Sequence, residues 1–282
     1  MTGANVPEVS IIIPSYNRAS SLKKTLISII NQTYTDYEVI IVSNGSTDNT
    51  KNIVDQFQDA RLKYVFQKGS GSPASPRNTG IKNSKGNYIA FCDDDDLWLP
   101  EKLEKQITFL EKNADCGLCY TRMRRFNEEI EWVNPDDATL ESTNSQQLLY
   151  RNTVPLSSII IRKSVFKKGE YFDEDKKIFG AEDYELLLRL SKKTKFFCLS
   201  EYLLLYYSGC GRFSNSTSKN NFKINLLYLN RLHHVYRKVV AKGFFKWVEV
   251  LNPFCFNCFV VFKIILYDFL NKRTKSRHAK IS

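Results

Sequence analysis

The sequence predicts an α/β fold in which a mostly parallel central sheet is flanked by helices. Three short runs of β-branched and aromatic residues, at 9–13, 38–42 and 62–66, alternate with segments of helical periodicity. Such alternation is typical of a parallel sheet with right-handed crossovers. The polar loops that follow the strands should then gather at one edge of the sheet, where open α/β sheets bind their ligands.

A fourth apolar run, Tyr88 to Cys92, ends in four consecutive aspartates, Asp93 to Asp96. This run has the length and composition of a buried strand, so the aspartates should follow its carboxyl end. Adjacent carboxylates repel each other, and hard oxygen ligands on a loop suit Mg²⁺ or Mn²⁺, which usually also bind substrate phosphates. A solvated acidic turn that caps a helix is the alternative, and we expect Asp96 to cap the helix that follows.

Composition narrows the class of protein. The 282 residues have room for one large domain or for a domain with an appendage. A net charge of +11 favours phosphate-rich partners such as nucleotides, nucleic acid or an anionic membrane face. Seven cysteines without repeated CxxC spacing predict neither a disulfide framework nor a zinc site, and they indicate a reducing compartment. The amino terminus lacks an apolar signal core, so we expect no secretion signal.

Five short motifs follow one another along the chain: Ile11–Arg18, Asn31–Tyr34, Val42–Asp48, Arg77–Gly80 and Asp93–Asp96. Each motif alone is weakly specific. Their shared order and spacing strongly resemble the family 2 inverting glycosyltransferases with the GT-A fold, of the bacterial polysaccharide or lipopolysaccharide type. The resemblance covers roughly residues 8–210 and implies a nucleotide-binding α/β domain that transfers a sugar from a nucleoside-diphosphate sugar.

The resemblance implies a donor site at the first two strands. Ser15 and Tyr16 match the position where the family holds the nucleotide base. Asn44 stands where the family often has an acidic residue that accepts a bond from uracil, and an amide can both donate and accept. Uridine is therefore expected first, with guanosine and thymidine left open, and a structural turn over Ser43–Ser46 is the alternative. Arg77 matches a cation near the diphosphate; pairing with the aspartate run is its alternative role.

The metal site is also implied by the resemblance. Asp93 and Asp95 match the two ends of the family's Asp-x-Asp motif, and Asp94 lies between them in the donor site. Asp93 is expected to contact the ribose or the metal, and Asp95 to ligate a Mn²⁺ or Mg²⁺ ion that bridges the diphosphate. That ion would stabilise the departing nucleoside diphosphate as a Lewis acid. Arg212 is expected to contact phosphate where relatives often have a histidine.

Glu182 and Asp183 begin a helix with one apolar face. Carboxylates in a first turn favour the helix dipole, which is the purely structural explanation. In the resembling family a Glu-Asp pair at this place is the acceptor-site motif. By that likeness Asp183 is the general base that takes the proton from an acceptor hydroxyl, and Glu182 binds acceptor hydroxyls or orients the site. One base opposite a metal-held leaving group implies direct displacement with inversion.

The C-terminal residues depart from this pattern. Residues 243–270 are aromatic and apolar but interrupted by charges, and residues 272–280 are basic. Too many polar residues interrupt the run for a membrane span, so we expect an interfacial helix on an anionic membrane surface; a buried helix or a dimer contact is the alternative. The predicted units are a GT-A domain over 1–207, a flexible loop and helix over 208–242, and a membrane-associating segment over 243–282.

The sequence thus predicts a cytoplasmic enzyme, peripheral on the inner face of the cell membrane. It would move a sugar to a lipid-linked or lipopolysaccharide and O-antigen type glycan, and a UDP-sugar is the first expected donor. No nucleic acid partner is expected. One alternative is a nucleotidyltransferase or phosphohydrolase that uses the same aspartates; it would need a phosphate-cradling glycine loop, and Gly69–Gly71 is a poor one. The other is a non-catalytic module that binds polyanions or membranes, which would not need Glu182 and Asp183.

Overall fold

A computed structural model of the protein describes residues 6–127, 148, 152, 154–167, 169–209, 231, 232, 234, 235, 238 and 239, and its strands and helices follow one another along the chain. The strands are β1 Val9–Ser15, β2 Tyr37–Asn44, β3 Leu62–Gln67, β4 Tyr88–Phe91, β5 Leu97–Trp98, β6 Cys116–Phe126, β7 Ile160–Arg162 and β8 Lys195–Tyr207. The helices are α1 Ala19–Ile30, α2 Thr50–Gln56, α3 Ala74–Asn83, α4 Lys102–Lys112 and α5 Glu182–Leu190.

The strands form one sheet in the order β3-β2-β1-β4-β7-β6-β8-β5. β1 pairs in parallel with both β2 and β4, and β2 pairs in parallel with β3. Only β5 and β7, among the described strands, run against the others. The predicted mostly parallel sheet is therefore confirmed. Because Ile12 lies opposite both Ile40 and Phe91, the carboxyl ends of three neighbouring strands meet at one edge.

Apolar side chains form two core clusters, because alternate residues of a strand face opposite sides of the sheet. The first cluster contains Ile12 and Phe91 together with Leu186, Leu187 and Leu190 of α5. The second cluster contains Ile11 and Ile13, the neighbours of Ile12 on β1, together with the apolar faces of α1 and α4. Helices thus cover both sides of the sheet and leave its carboxyl edge to the loops.

α3 lies against β1 through a glycine. A Cβ atom on Gly80 would lie 2.3 Å from Cγ2 of Ile12, far inside van der Waals contact. A side chain at this position would therefore push the helix away from the strand. Since Arg77 lies about one turn before Gly80 on the same helix, this contact also sets the depth of Arg77 above the sheet edge.

One local prediction is wrong. Asp96 does not cap α4, which begins at Lys102 without a side-chain cap. The short strand β5 intervenes and pairs with β8, and this non-local pairing turns Asp96 inward. Further along the chain, a 3₁₀ helix, Leu156–Ser158, leads into β7.

Part of the 208–242 unit packs on the domain. Leu232, Val235 and Val239 are buried in the first cluster, and Nζ of Lys238 lies 2.6 Å from Asp173 and 2.8 Å from Asp175. Most of 208–242, Arg212 included, lies outside the described residues, as does the whole of 243–282. Within the described ranges, no helix combines the length and hydropathy that a bilayer crossing requires.

Candidate active site

The loops after β1 and β2 are joined to each other at the carboxyl edge of the sheet. Asn17 has a φ of 52°, and its Oδ1 accepts a hydrogen bond from the amide of Thr47 at 2.8 Å. Oδ2 of Asp48 accepts from the amide of Ala19 at 3.0 Å, and so holds the start of α1 from the neighbouring loop. The two loops consequently form one surface beside the aspartate run.

Arg18 lies against the aspartate run from this surface. Its Nη1 is 3.3 Å from Oδ1 of Asp94, and the same nitrogen contacts Oδ2 of Asp95. The sequence motifs gave Arg18 no individual role. The sequence feature that could have indicated Arg18 is a cation in the loop that follows β1, at the same sheet edge as the carboxylates. Arg18 supplies positive charge where adjacent carboxylates would otherwise repel each other.

The four aspartates differ in depth. The side chain of Asp93 is 34% exposed and that of Asp95 is 18% exposed, whereas Asp94 and Asp96 are buried. Burial raises the pKa of Asp94 to about 7, against the opposing effect of Arg18. Burial raises the pKa of Asp95 as well, and Asp93 adds to that shift. A further cation at this run would offset both the burial of these carboxylates and their repulsion.

The residues fit a divalent cation that is shared with a substrate. Asp93 and Asp95 offer hard carboxylate oxygens and are the more exposed members of the run. Among the residues that the structure describes, no three His, Cys, Asp or Glu side chains form a complete metal cage. Mg²⁺ does not require one, because it is usually bound through one or two carboxylates together with substrate phosphates.

Arg77 joins the aspartate run to the first turn of α5. Its Nη2 donates to Oδ1 of Asp93 at 2.7 Å, and its Nη1 donates to Oε1 of Glu182 at 2.9 Å. Burial alone would lower the pKa of Arg77, but the two carboxylates outweigh it and raise the pKa above the ordinary value. The pairing with the aspartate run that the sequence left open is present, and it extends to Glu182.

Glu182 and Asp183 lie at the same edge through this contact. Oε2 of Glu182 accepts from the amide of Gly180 at 2.6 Å, and Oδ2 of Asp183 receives a long hydrogen bond of 3.4 Å from Asn152. Burial raises the pKa of Asp183 to about 6, Glu182 reinforces the shift and Arg77 opposes it. A carboxylate with a pKa near the working pH is suited to act as a general base.

The residues expected at the nucleotide base have different surroundings. Ser15 is buried at the end of β1, whereas the next residue, Tyr16, is 43% exposed. Oδ1 of Asn44 accepts from Gln67 at 3.0 Å and from the amide of Ser70 at 3.0 Å. The Asn44 amide nitrogen donates to a carbonyl in the same loop, so its side chain holds the glycine- and serine-rich loop after β3.

Tyr206 on β8 is a further residue near the site that no sequence motif indicated. Burial raises the pKa of its phenol, and Asp96, Asp93, Asp95 and Asp183 add to the shift. The phenol therefore lies near both the aspartate run and the acceptor-side motif. The signal in the sequence was weak, since Tyr206 belongs to a strand with several aromatic residues.

The chain belongs to glycosyl transferase family 2, because the model of that family matches residues 10–169, more than half of the sequence. A Haemophilus influenzae protein described as an uncharacterized glycosyltransferase is 30% identical over 84% of this chain and 80% of its own length. The Escherichia coli glucosyltransferase WfgD, described as using UDP-Glc and α-D-GlcNAc-diphosphoundecaprenol, is 40% identical over 37% of this chain and 42% of its own.

Other relatives are much longer than the matched region. An uncharacterized glycosyltransferase of Rickettsia bellii is 41% identical over 49% of this chain, but the match covers only 19% of the Rickettsia protein. The chain thus spans about a fifth of that relative and less than half of WfgD.

Solved structures establish the GT-A type fold. Staphylococcus aureus TarS in complex with UDP superimposes with a TM-score of 0.63 at 20% identity, over 84% of this chain and 73% of that chain. The mannosyltransferase PcManGT of Pyrobaculum calidifontis, in complex with GDP-Man and Mn²⁺, gives 0.64 at 17% identity, over 84% and 65%. The fold expected from the five motifs is confirmed.

Proposed function

We propose that the protein is an inverting hexosyltransferase that moves a sugar from a nucleoside-diphosphate sugar to a hydroxyl of a lipid-linked, O-antigen type glycan. One observation carries the proposal: Arg77 contacts both Asp93 and Glu182. The carboxylates expected to serve the donor and those expected to serve the acceptor, 89 positions apart in the sequence, therefore lie at one guanidinium. A transferase needs both sets at one reacting centre, because orientation of the reactants is a large part of catalysis.

The donor side of the proposal uses the aspartate run. Asp95 and Asp93 would hold Mn²⁺ or Mg²⁺ together with the donor diphosphate. When bound, that ion supplies Lewis-acid stabilisation of the negative charge that develops on the leaving group. Asp94 supports this site through its ion pair with Arg18, and Ser15, Tyr16 and Asn44 border the place for the nucleotide. Arg212 remains a proposed phosphate contact on sequence grounds.

The acceptor side uses Asp183 as the general base. It would accept the proton of the acceptor hydroxyl as that oxygen attacks the anomeric carbon, and the sugar would change configuration because a single displacement occurs. The raised pKa of about 6 supports this role, since an ordinary surface aspartate is a weaker base. Glu182, beside Asp183 on α5, would accept hydrogen bonds from acceptor hydroxyl groups or orient the site.

UDP is the proposed nucleotide and a lipid-linked glycan the proposed acceptor class. WfgD, described as acting with UDP-Glc on a diphosphoundecaprenol-linked sugar, supports both. TarS was solved with UDP and with UDP-GlcNAc, which supports the same nucleotide. A lipid-linked acceptor would be met at the inner face of the cell membrane, where the basic residues 272–280 would favour anionic lipid.

A donor screen tests the proposal. Nucleoside-diphosphate sugars would be added with Mn²⁺ in a thermal-shift assay, because a ligand that binds only the native state stabilises it, by about 2.7 kcal/mol at 100 times its Kd. The stabilising donor would then be incubated with a sugar-diphosphate-lipid analogue, and the anomeric configuration of the product read by NMR. A product with retained configuration, or a donor that is hydrolysed without transfer, would contradict the proposal.

A further inference from the structure

We infer that Arg77 is a positioning residue that fixes the acceptor-side Glu182 relative to the donor-side Asp93, and that it does not bind the donor diphosphate. The inference rests on the proposed glycosyl transfer for its catalytic part. Its structural part rests on how the guanidinium is used. Arg77 is only 5% exposed, and each of its terminal nitrogens donates to a different carboxylate.

The guanidinium of Arg77 is poorly accessible to a phosphate. A diphosphate is recognised by arginine through two parallel hydrogen bonds from neighbouring N–H groups. In Arg77 each terminal nitrogen already donates one N–H to a carboxylate, and the side chain, its buried Nε included, is only 6% exposed. The ring of Phe172 lies 5.4 Å from the guanidinium carbon and covers one side of it. A diphosphate would have to displace a buried ion pair to reach this group.

The partners of Arg77 are themselves held in place. The backbone amide of Asp93 donates to Oγ of Ser157 at 3.0 Å. The carboxylate oxygen of Glu182 that does not contact Arg77 accepts from the Gly180 amide. Arg77 thus links the Asp93 carboxylate, whose backbone is held by Ser157, to the Glu182 carboxylate, whose other oxygen is held by Gly180. A planar fork of donors in a fixed geometry suits this link, whereas a lysine ammonium has no such fork.

The next residue of α3 extends the link to the loop before α5. Oδ1 of Asn78 accepts from the amide of Phe172 at 2.9 Å, and its Nδ2 donates to the Phe172 carbonyl at 2.9 Å. The same Nδ2 lies 2.7 Å from a carboxylate oxygen of Glu174. The side chain of Asn78 thus holds the backbone of this segment at Phe172, and the side chain of its neighbour Arg77 holds the carboxylate of Glu182.

The first test separates a phosphate contact from a positioning role by binding. Affinities for UDP and UMP would be measured in EDTA by ligand-observed NMR for the wild type and for Arg77→Lys, with the guanosine and thymidine nucleotides run in parallel. We expect the ratio of diphosphate to monophosphate affinity to change by less than about threefold. A charged hydrogen bond to the second phosphate would be worth more, so a fall of about tenfold or greater would overturn the inference.

The second test measures the link itself. Arg77→Met should lower Tm, because it leaves the buried Glu182 carboxylate without its cation. The double variant with Glu182→Gln should lose less than the two single variants added together, since residues in one ion-paired unit are not additive. Arg61→Lys, which alters a separate bidentate pair with Asp59, is the matched control. Additive losses in Tm would refute the link between Arg77 and Glu182.

The third test is catalytic. At saturating donor and acceptor, and well below Tm, Arg77→Lys should lower kcat by about 100-fold, because a displacement of about 1 Å in a reacting group has that effect. The KM for donor should stay within about threefold. A raised donor KM with unchanged kcat would overturn the inference. If the wild-type protein transfers no sugar, the proposed function fails instead, and the binding and Tm tests still decide the role of Arg77.

Discussion

The carboxylate of Asp96 accepts a hydrogen bond from the backbone amide of Tyr207 at 2.9 Å, although 111 positions separate the two residues. Asp96 is 1% exposed, and burial raises its pKa well above the ordinary value. The last member of the aspartate run is thus directed into the protein, where it secures the end of β8. Its three predecessors remain at the sheet edge.

Replacement of Asp96 should show whether its hydrogen bond to Tyr207 or its charge stabilises the domain. Asp96→Ala leaves the Tyr207 amide without its acceptor, and we expect a loss of about 1–3 kcal/mol in the free energy of unfolding. Asp96→Asn keeps an oxygen acceptor of the same shape and should lose distinctly less. Urea denaturation of both variants measures the difference. Equal losses would mean that the charge of Asp96, rather than this hydrogen bond, stabilises the domain.

Asp95→Ala should abolish metal-dependent donor binding and leave the fold intact. The change removes a proposed metal ligand and relieves repulsion within the aspartate run, while the two core clusters are untouched. Calorimetric titration of a nucleotide sugar with Mn²⁺ measures the effect. The matched control is Asp115→Ala, an exposed carboxylate paired with Lys195. Unchanged affinity in Asp95→Ala would remove this residue from the metal site.

Asp183→Asn should keep donor affinity and lose transfer by about 10²–10⁴-fold, the usual contribution of a positioned base. The amide preserves size but cannot accept the proton, so turnover falls without weaker binding. Donor titration and sugar transfer would be measured on one preparation. Transfer within about threefold of wild type would make Glu182 the next candidate. Lost donor affinity would place Asp183 in the nucleotide site instead.

The pH dependence of turnover should report the same residue. Burial and Glu182 raise the pKa of Asp183 to about 6, and the base must be ionised to act. Turnover should therefore fall as pH drops through about 6, by about tenfold for each further pH unit, and level off above it. Rate measurements from pH 4.5 to 8 provide the check. A profile that stays level down to pH 4.5 would be inconsistent with Asp183 as the base.

Removal of residues 243–282 should shift the protein from the membrane fraction to the soluble fraction. This cut retains Val235 and Val239, which are buried in the first cluster, so the domain should stay folded. Fractionation of cells that express each form, with circular dichroism of the shortened protein, tests both points. Unfolding of the shortened protein would show that the removed segment belongs to the core.

The first four strands could be predicted from sequence because their signals are local. β1, β2, β3 and β4 are apolar runs bounded by turn residues, and the structure has them within about two residues of the predicted limits. β5 was missed because it has two residues and exists through its pairing with Leu204 and Leu205 of β8. No local pattern records such a partner, and the wrong role for Asp96 followed from that.

The candidate site likewise combines features with a local sequence pattern and features that depend on non-local packing. The aspartate run was found because four like charges after an apolar run are conspicuous in any sequence. The contact of Arg77 with Glu182, at a separation of 105 positions, depends on how α3 and α5 pack on the sheet. Arg18 was visible only as one cation in a loop. Spacing along the chain could not tell which carboxylates these arginines would meet.

Gly80 shows how far the site depends on residues without functional groups. Even a methyl group there would collide with Ile12, and the helix that bears Arg77 and Asn78 would have to shift outward. In a saturation-mutagenesis screen for activity, Gly80 should consequently tolerate as few substitutions as the carboxylates do. Variants at this position would keep every charged group of the site and still lose their alignment.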